Sequence, residues 1–351
     1  MPSTIQLNVA VIGAGAIGLK HMEGFAGHPA ARLAAVAETS QERGQAAIDE
    51  FETAMLFRDY REVLNDSSID IVSIALPNHL HAQVALEVLE AGKHLVLEKP
   101  MATNAADAQK IADLAKEKNL HLMVGQNQRF TLEAQTLKRL CLEGRLGDVY
   151  YAKAAWLRRS GIPRIGSWFT AKRFAGGGCI YDIGIHVLDL ALHFLDDFDA
   201  VSVSGQTFSR FGPRGLGEGE WGKSEKDPDQ PFDVEDFASA FIRLKSGRTL
   251  QLEVSWAAHL ETRDVNGVQL FGEDGGATSN PLKLFRSENG EPVVEEPELA
   301  EPLVNPDRMQ HFVDVVLGEA ESFVPVEESL KAQRILDMIY QSAASGEEIR
   351  L

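Results

Sequence analysis

A glycine-rich turn between an apolar run and a helical pattern constrains the fold of this chain more than any other stretch. Residues 5–12 are mostly apolar and of strand length, residues 13–18 read Gly-Ala-Gly-Ala-Ile-Gly, and a helical pattern continues through Phe25. The glycines of such a turn allow a tight bend and the close approach of a pyrophosphate, and the helix N-terminus attracts the anion. The pattern predicts a dinucleotide-binding unit, with pyrophosphate contacts at Gly13, Gly15, Ala16, Ile17 and Gly18.

An acidic residue stands where the second strand of such a unit ends. The strand expected at 32–37 is followed by Glu38, twenty residues after Gly18. A carboxylate at this place suits the ribose 2′-hydroxyl of NAD and repels the 2′-phosphate of NADP. The alternative is a solvated acid at a strand end, and the nearby Arg43 leaves the use of NADP open.

Strands and helices keep alternating up to residue 125. Strands are predicted at 70–76, 94–97 and 121–124, and helices at 81–91 and at 104–118, the second capped by Thr103. This alternation predicts a parallel, doubly wound sheet of the Rossmann type in residues 1–125, with ligands at the carboxyl ends of its strands.

Two of those strand ends carry polar residues. One reads Leu-Pro-Asn-His-Leu-His at 76–81, and the other reads Glu98-Lys99-Pro100. His79 and His81 are poor candidates for metal ligands, because no Cys or further His lies at a usual spacing. The sequence therefore predicts no metal site.

From residue 126 the pattern changes to longer strands with hairpin signals. Helices are predicted at 132–143 and 327–343, strands at 149–157, 236–244 and 249–256, a surface loop at 211–233 and a solvated edge at 288–302. The alternation at 249–256 indicates a half-buried antiparallel sheet. The second domain is therefore expected to span 126–351, with its last helix available to pack back on the first domain.

Residues 176–195 combine a glycine triplet with an apolar helix that carries Asp182 and His186. Positions i and i+4 of a helix share one face, so the carboxylate and the imidazole are expected to point the same way. Such a pair can perform acid–base chemistry near neutral pH. The alternative is a buried structural pair, in which the His hydrogen-bonds the Asp inside a core helix.

Residues 149–181 contain no Asp or Glu, although the chain as a whole is acidic. The stretch holds Trp156, Trp168 and six basic residues, which are Lys153, Arg158, Arg159, Arg164, Lys172 and Arg173. Hydrogen-bond donors and aromatic faces beside the Asp182 helix suit a polyhydroxylated or anionic ligand. The alternative is structural, with the cations paired to acids of other elements and the tryptophans in the core.

Charge and cysteine content restrict the functional class. A net charge of −18 and a pI near 5.0 disfavour nucleic acid and anionic membranes as partners, since both are bound by positive faces. Cys141 and Cys179 are not closely spaced and no signal-peptide pattern is visible, so reduced thiols in the cytoplasm are expected. Apolar runs such as 71–76 are too short to cross a bilayer.

Five motifs together resemble the glucose-fructose oxidoreductase/inositol dehydrogenase family (Gfo/Idh/MocA). They are the glycine turn at 13–18, Pro77-Asn78-His79, Glu98-Lys99-Pro100, Asn127-Gln128-Arg129-Phe130, and the run from Gly176 through Asp182 to His186. The resemblance covers essentially the whole chain. It implies a nicotinamide-binding domain, then an α/β domain with a large open, mostly antiparallel sheet that commonly forms homodimers or homotetramers.

The resemblance also implies roles for individual residues. Lys99, Asp182 and His186 match the catalytic Lys, Asp and His of the family, with His186 as the general base. Further cofactor contacts are implied at Glu38, Pro77, Asn78, His81, Glu98 and Lys99. Substrate contacts are expected from Lys99, Asn127, Arg158, Trp168, Lys172, Asp182 and His186.

The implied function is an NAD-dependent oxidoreductase, with NADP as a second option, that acts on a secondary alcohol or ketone of a sugar, cyclitol, glycoside or sugar acid. Two alternatives stay open. Some relatives use bound NAD in a transient redox step to hydrolyse glycosidic bonds, and others are NAD-binding sensors or repressors without turnover. The complete set of Lys99, Asp182 and His186 argues against the sensor, because a binder needs no base beside the nicotinamide.

Overall fold

The computed structural model describes residues 6–51, 55–220, 224–227 and 229–351, and these form two compact units. The first unit runs to Gly125 and also contains Val304–Leu330, whereas the second contains Gln126–Leu303 and Lys331–Leu351. The chain passes from one unit to the other where the sequence pattern changes, at residue 126. The second domain was expected to span 126–351, with a last helix able to pack back on the first domain, whereas Val304–Leu330 belongs to the first unit.

The elements follow one another in the order strand, helix, strand through the first unit and become strand-rich in the second. The strands are β1 (Leu7–Ile12), β2 (Ala31–Ala37), β3 (Met55–Phe57), β4 (Ile71–Ile74), β5 (His94–Leu97), β6 (Leu122–Val124), β7 (Val149–Arg158), β8 (Ala200–Phe208), β9 (Phe237–Leu244), β10 (Thr249–Ser255), β11 (Asp264–Gly272), β12 (Gly276–Ser279), β13 (Leu282–Glu288), β14 (Glu291–Glu295) and β15 (Ile349–Arg350). The helices are α1 (Ala16–Ala26), α2 (Gln41–Phe51), α3 (Tyr60–Asn65), α4 (Asn78–Glu90), α5 (Ala105–Glu117), α6 (Leu132–Leu142), α7 (Lys172–Ala175), α8 (Ile185–Leu195), α9 (Arg308–Val316) and α10 (Val326–Ser345).

Within the described part of the first unit, six strands form a parallel sheet in the order β3-β2-β1-β4-β5-β6. Its central strands are almost entirely apolar and buried, as expected for parallel strands covered on both faces. The predicted doubly wound sheet is therefore confirmed. The strand order reverses direction between β1 and β4, which is where ligands bind in such sheets.

Backbone hydrogen bonds gather the carboxyl ends of these strands along one edge. The Gly13 N–H donates to Ala37 O (2.8 Å), the Ala75 N–H to Ile12 O (2.9 Å), and the Glu98 N–H to Ile74 O (3.1 Å). The residues that follow β1, β2, β4 and β5 thus lie side by side. This edge carries the sequence motifs of the first unit.

The described part of the second unit contains a nine-stranded sheet in the order β14-β13-β12-β11-β7-β10-β9-β8-β15. Only the pair β7–β10 is parallel among these neighbours, and the hairpin predicted at 236–256 is confirmed as β9 and β10. Leu250, Leu252 and Val254 of β10 are buried, and so is Trp256 directly after the strand. Gln251 and Glu253 between them are half exposed, whereas Ser255 is buried. The sheet therefore buries one face of these strands.

The helix α8 lies in the core of the second unit, and all of its residues are buried. Among the described residues, the stretch Lys172–Leu195 alone has the length and mean hydropathy (1.4 over its most apolar 18 residues) of a membrane-crossing helix, and those 18 residues are all buried inside the protein. The apolar runs noted in the sequence, such as 71–76, are shorter. The burial of this stretch is that of a core helix.

Several element boundaries differ from the sequence prediction. Helix α4 begins at Asn78, and the side chain of Asn104 rather than Thr103 caps α5 by accepting the Asp107 N–H. The loop expected at 211–233 contains a short 3₁₀ turn, Gly212–Arg214, and residues 221–223 and 228 of it lie outside the described residues. Strand β14 ends the sheet where a solvated edge was predicted.

Candidate functional site

The glycine turn of the first unit forms a cradle at the start of α1. Gly13 has φ +96°, and a Cβ on it would lie 2.4 Å from Ala75 O. A Cβ on Gly18 would lie 1.9 Å from Gly13 O, whereas no atom of the described residues lies within 4 Å of a Cβ built on Gly15. The first and third glycines are therefore required for packing, and Gly15 leaves open space. The first turn of α1, with Ala16 and Ile17 exposed, contains no acid that would oppose an anion.

The carboxylate of Glu38 is fixed beside this cradle. Its Oε2 accepts the Ala14 N–H (2.9 Å), and its Oε1 accepts the Ser40 N–H (2.8 Å) and a bond from Arg43 Nη2 (3.0 Å). Burial opposes the charge, but these hydrogen bonds outweigh it and hold the pKa of Glu38 below its ordinary value. An ionised carboxylate has about four acceptor positions, so Oε2 can also accept a ribose hydroxyl.

A cavity of about 270 Å³ lies next to Glu38 in the first unit. Its lining includes Leu76, Leu80 and Val84, together with Tyr60 and the polar side chain of Glu38. An apolar slot with one carboxylate at its side suits a planar base attached to a ribose. The glycine cradle, Glu38 and this cavity together fit a dinucleotide.

His81 lies beneath the strand ends rather than on them. The ring is fully buried, with Nδ1 2.7 Å from Pro100 O and Nε2 2.8 Å from Leu76 O. Only a doubly protonated ring donates to both carbonyl oxygens, and burial lowers the pKa of His81, so the neutral ring donates to one. The side chain of His81 thus has two carbonyl partners within the first unit, and its contact with the cofactor stays a prediction. The ring connects the segment after β4, where Pro77 and Asn78 begin α4, to the segment that follows Lys99.

Glu98 takes part in a buried ionic cluster of the first unit. Its Oε1 lies 2.7 Å from Arg308 Nη2 and 2.9 Å from His21 Nε2, and the His21 ring reaches Ser73 Oγ at 2.7 Å. Burial would raise the pKa of Glu98, but Arg308 and His21 hold it well below its ordinary value. Glu98 Oε2 accepts the backbone N–H of Lys99 (3.2 Å). The cluster thus fixes the backbone at Lys99, whose side chain is half buried.

Asp182 lies in a π-helical turn, Ile180–Gly184, that leads into α8, where His186 lies in the first turn. The Ile185 N–H donates to Ile180 O across this wide turn, a feature frequent at functional sites. Asp182 Oδ2 accepts the Trp256 Nε1–H (2.9 Å). Asp182 and His186 each keep about 9% of their surface exposed, whereas Trp256 is fully buried.

Aromatic and cationic groups of β7 lie beside His186. The Trp156 ring centroid is 5.9 Å from that of His186, and the Arg158 guanidinium lies 4.8 Å from the Trp156 ring centroid. Arg158 Nε is also 3.7 Å from Asp264 Oδ2. This part of the second unit brings an indole, a guanidinium, an imidazole and a carboxylate together, which is a suitable lining for a polyhydroxylated ring.

The glycine triplet before Asp182 is required by close contacts. Gly176 has φ +82°, and a Cβ on Gly177 would lie 2.0 Å from Tyr340 Oη. A Cβ on Gly178 would lie 2.0 Å from Glu235 O. Only glycines allow the chain to pass between Tyr340 and Glu235.

Three other predicted substrate residues lie in distinct local settings of the second unit. Asn127 begins a 3₁₀ turn, Asn127–Phe130, the Trp168 ring stacks on Phe169 at 3.8 Å, and the exposed Lys172 has its ammonium 5.8 Å from the Tyr340 ring centroid. Their contacts with substrate stay predictions. Among the cations of the 149–181 stretch, Arg158 pairs with Asp264, Arg159 donates to Leu260 O and Arg173 donates to Gln230 Oε1.

Sequence reasoning missed three residues of this region. Trp156 was assigned no individual role, Trp256 was assigned only to the buried face of its strand, and Glu235 was not considered. The alternation of β10 was a signal for the burial of Trp256 but not for its partner Asp182, which lies 74 positions earlier. Contacts of this range have no local signal in a sequence.

Comparison with known proteins gives matches over both units. The family model described as an oxidoreductase family with an NAD-binding Rossmann fold matches residues 7–126, and the model of the GFO/IDH/MocA C-terminal domain matches residues 134–278. A D-glucoside 3-dehydrogenase of Escherichia coli (strain K12) is 33% identical over 350 residues, covering 98% of this chain and 97% of that protein.

A further sequence relative and a solved structure support the same family. A levoglucosan dehydrogenase of Pseudarthrobacter phenanthrenivorans is 31% identical over 290 residues, covering 78% of this chain and 73% of that protein. A solved structure of a levoglucosan dehydrogenase in complex with NADH matches the fold with a TM-score of 0.84 and 24% identity, over 98% of this chain and 99% of that one. With a dinucleotide cradle in one unit, the Asp182 and His186 helix in the other and both family models matched, this chain belongs to the Gfo/Idh/MocA family of NAD-binding oxidoreductases.

Proposed function

We propose that the protein is a dehydrogenase that oxidises a secondary alcohol of a glycoside or related sugar or cyclitol, with NAD as its cofactor and NADP as a less favoured one. The two named relatives support a glycoside, since one is a D-glucoside 3-dehydrogenase and the other a levoglucosan dehydrogenase. The reverse reduction of the corresponding ketone uses the same groups.

The lining around His186 carries this proposal. Trp156 offers an apolar face to the C–H groups of a sugar ring, and Arg158 offers donors to its hydroxyl groups. Asp182, held by Trp256, stands four residues before the imidazole. A carboxylate near a histidine can orient the imidazole for proton transfer.

The roles proposed for the catalytic residues are those that the family resemblance implies. His186 removes the proton of the substrate hydroxyl, and Asp182 orients the imidazole. Lys99 donates a hydrogen bond to the same oxygen and stabilises its developing negative charge. Bound NAD supplies the acceptor for the hydride that leaves the carbon. Acid–base help of this kind is worth about 10²- to 10⁴-fold in rate.

The cofactor contacts are assigned to the first unit. Gly13, Gly15, Ala16, Ile17 and Gly18 hold the pyrophosphate, Glu38 accepts the ribose hydroxyl, and Pro77 and Asn78 border the nicotinamide half. Glu98 is already bound to Arg308 and His21, so it acts through the Lys99 backbone.

The protein is further proposed to be a cytoplasmic homo-oligomer that binds neither nucleic acid nor membranes. Both cysteines are free thiols, and the net charge of −18 opposes polyanions. The less buried face of the nine-stranded sheet supports self-association. Strand register aligns Gln269, Lys153, Gln251 and Phe241 there in one row, and each of them is half exposed or exposed.

The test is the near-ultraviolet absorbance of reduced nicotinamide when purified protein meets NAD or NADP and a panel of glycosides, aldoses, inositols and sugar acids. We expect reduction with NAD and at least one glycoside, and a fall of about 10²-fold or more in kcat for His186→Ala and for Lys99→Met, with the Kd for NADH retained. Full activity of either variant would contradict the mechanism. No reduction with any substrate, in protein that binds NADH, would reject the dehydrogenase and direct the search to sugar release.

A further inference from the structure

A buried acid at the end of the long loop of the second unit holds the start of the helical segment that carries Asp182. Glu235 is 5% exposed, and its Oε1 and Oε2 each lie 2.9 Å from the Gly178 N–H donor nitrogen. Oε1 also accepts the Ile180 N–H (3.0 Å), and the Glu235 carbonyl accepts the Cys179 N–H (3.1 Å). Three consecutive backbone donors of the catalytic segment therefore end on one residue.

These donors are the ones that a helix start leaves unsatisfied. A carboxylate at this end is favoured by the helix dipole and replaces the water that the buried amides have lost. Burial raises the pKa of Glu235, while the hydrogen bonds from Ile180 and Gly178 favour its charged form. The N–H groups of Gly178 and Ile180 thus stabilise the negative charge of Glu235, and the carboxylate in turn satisfies these buried donors.

A short path leads from Glu235 to the catalytic pair. The Gly178 N–H donates to the Glu235 carboxylate, and the carbonyl of Gly178 accepts the Asp182 N–H (3.1 Å). Asp182 is held at its other end by Trp256 Nε1. A Cβ on Gly178 would lie 2.0 Å from Glu235 O, so the segment packs directly against the Glu235 backbone.

The neighbouring acid has a different set of partners. Asp236 is fully buried, and its carboxylate accepts the N–H groups of Arg210, Phe211 and Gly212 at distances of 2.6 to 3.0 Å. Its side chain thus holds the loop, whereas that of Glu235 holds the catalytic segment. Two adjacent buried acids of similar chemistry provide a matched pair for experiment.

We infer that Glu235 is a positioning residue, which fixes the backbone of Gly178 and Ile180 and thereby sets Asp182 and His186 for proton transfer. The inference rests on the proposed dehydrogenase function. Displacement of catalytic groups by about 1 Å can cost on the order of 10²-fold in rate. Glu235→Gln, which keeps the size but loses the charge, is expected to lower kcat by about 10- to 100-fold.

The experiment compares Glu235→Gln with Asp236→Asn on the substrate that the panel identifies. For Glu235→Gln we expect the lower kcat, an altered acid limb in the pH profile of kcat/KM, and faster hydrogen exchange at amides 178–182, with the Kd for NADH unchanged. For Asp236→Asn we expect kcat within about twofold of the parent, although stability falls to a similar extent. Equal loss of kcat in both variants, or an unchanged kcat in Glu235→Gln, would overturn the inference.

Two further arms keep the result decisive. If Glu235→Gln does not fold, Glu235→Asp retains the charge on a shorter side chain and is judged by the same three readouts. If the parent protein reduces neither NAD nor NADP with any substrate, the proposed function has failed. Hydrogen exchange still tests whether Glu235 holds the backbone of residues 178–182. Faster exchange at 178–182 in Glu235→Gln but not in Asp236→Asn supports it, and identical exchange in both variants rejects it.

Discussion

At the scale of single residues, the carboxylate of Glu38 has two kinds of neighbour. Oε2 accepts the Ala14 N–H of the glycine turn, and Oε1 pairs with the half-exposed Arg43. The sequence predicted both an acid that reads the ribose and an arginine that keeps NADP open. The geometry joins these observations, because the carboxylate that is proposed to accept the ribose hydroxyl also pairs with the Arg43 guanidinium.

The choice between NAD and NADP tests this pair. Glu38→Ala is expected to weaken NAD binding by about 10- to 100-fold, since a hydrogen bond to a charged group is worth about 1.5–3 kcal/mol. NADP binding should improve, because Arg43 is released toward the 2′-phosphate. The ratio of kcat/KM for NAD over NADP is measured, with Arg43→Ala as a control expected to raise it. An unchanged ratio in Glu38→Ala would mean that Glu38 does not read the ribose.

Other residues were harder to assign from sequence. His81 follows the Pro77-Asn78 motif, and its position suggested cofactor contact, but its ring is buried against the carbonyls of Leu76 and Pro100. Neighbours of a buried side chain are supplied by other elements. A sequence motif can single out such a residue, but it does not predict which atoms its side chain contacts.

At the scale of elements, the strand, glycine turn and helix at the start of the first unit were predicted almost completely. Each glycine has a separate function there, since Gly18 packs against Gly13 O and Gly15 faces open space. The segment before α8 was predicted less well. A helix was expected, but the segment contains a π-helical turn, and its hydrogen-bond partners Glu235 and Trp256 lie far along the chain.

Alanine substitutions separate the two glycine functions. Gly15→Ala has an allowed backbone, with φ −75°, so the free energy of unfolding should change by less than about 1 kcal/mol. Its Cβ occupies the space assigned to the pyrophosphate, and the Kd for NADH should rise about tenfold or more. Gly18→Ala should instead cost about 2 kcal/mol or more in stability, because of the overlap with Gly13 O.

Thermal unfolding and NADH titration of the two variants provide the measurements. A Gly15→Ala protein that binds NADH like its parent would show that this loop does not hold the pyrophosphate. A Gly18→Ala protein with unchanged stability would contradict the close packing of α1 on the turn.

At the scale of the whole molecule, each unit contains a buried histidine that stays neutral. Burial lowers the pKa of His21, and burial together with the cations Arg129 and Lys138 holds the pKa of His193 well below its ordinary value. In the unfolded chain both imidazoles would have a pKa of about 6.5. Protonation therefore favours the unfolded state below that pH.

Stability is expected to depend on pH accordingly. The contribution of these histidines to the free energy of unfolding is complete above about pH 6.5. It is lost as the pH falls toward their lower folded-state pKa values, at up to about 1.4 kcal/mol per pH unit for each histidine. Thermal unfolding between about pH 7.5 and about pH 5 measures it. His193→Gln should show a weaker dependence, because Gln does not titrate. A melting temperature that is constant over this range would contradict the expectation.

The sequence by itself determined the features that depend on neighbours along the chain. Periodicity specified the parallel strands and helices of the first unit and the β9–β10 hairpin of the second, and the glycine spacing specified the dinucleotide cradle. The four-residue spacing of Asp182 and His186 indicated an acid–base pair before any coordinates.

Tertiary structure decided what depends on residues far apart in the chain. It assigned Val304–Leu330 to the first unit, where Arg308 meets Glu98, and it brought Trp256 to Asp182 and Glu235 to Gly178. The physical reason is that a buried polar group must find a hydrogen-bond partner, and the fold supplies that partner from any element that packs nearby. Local patterns determine which elements form, and burial determines which side chains meet.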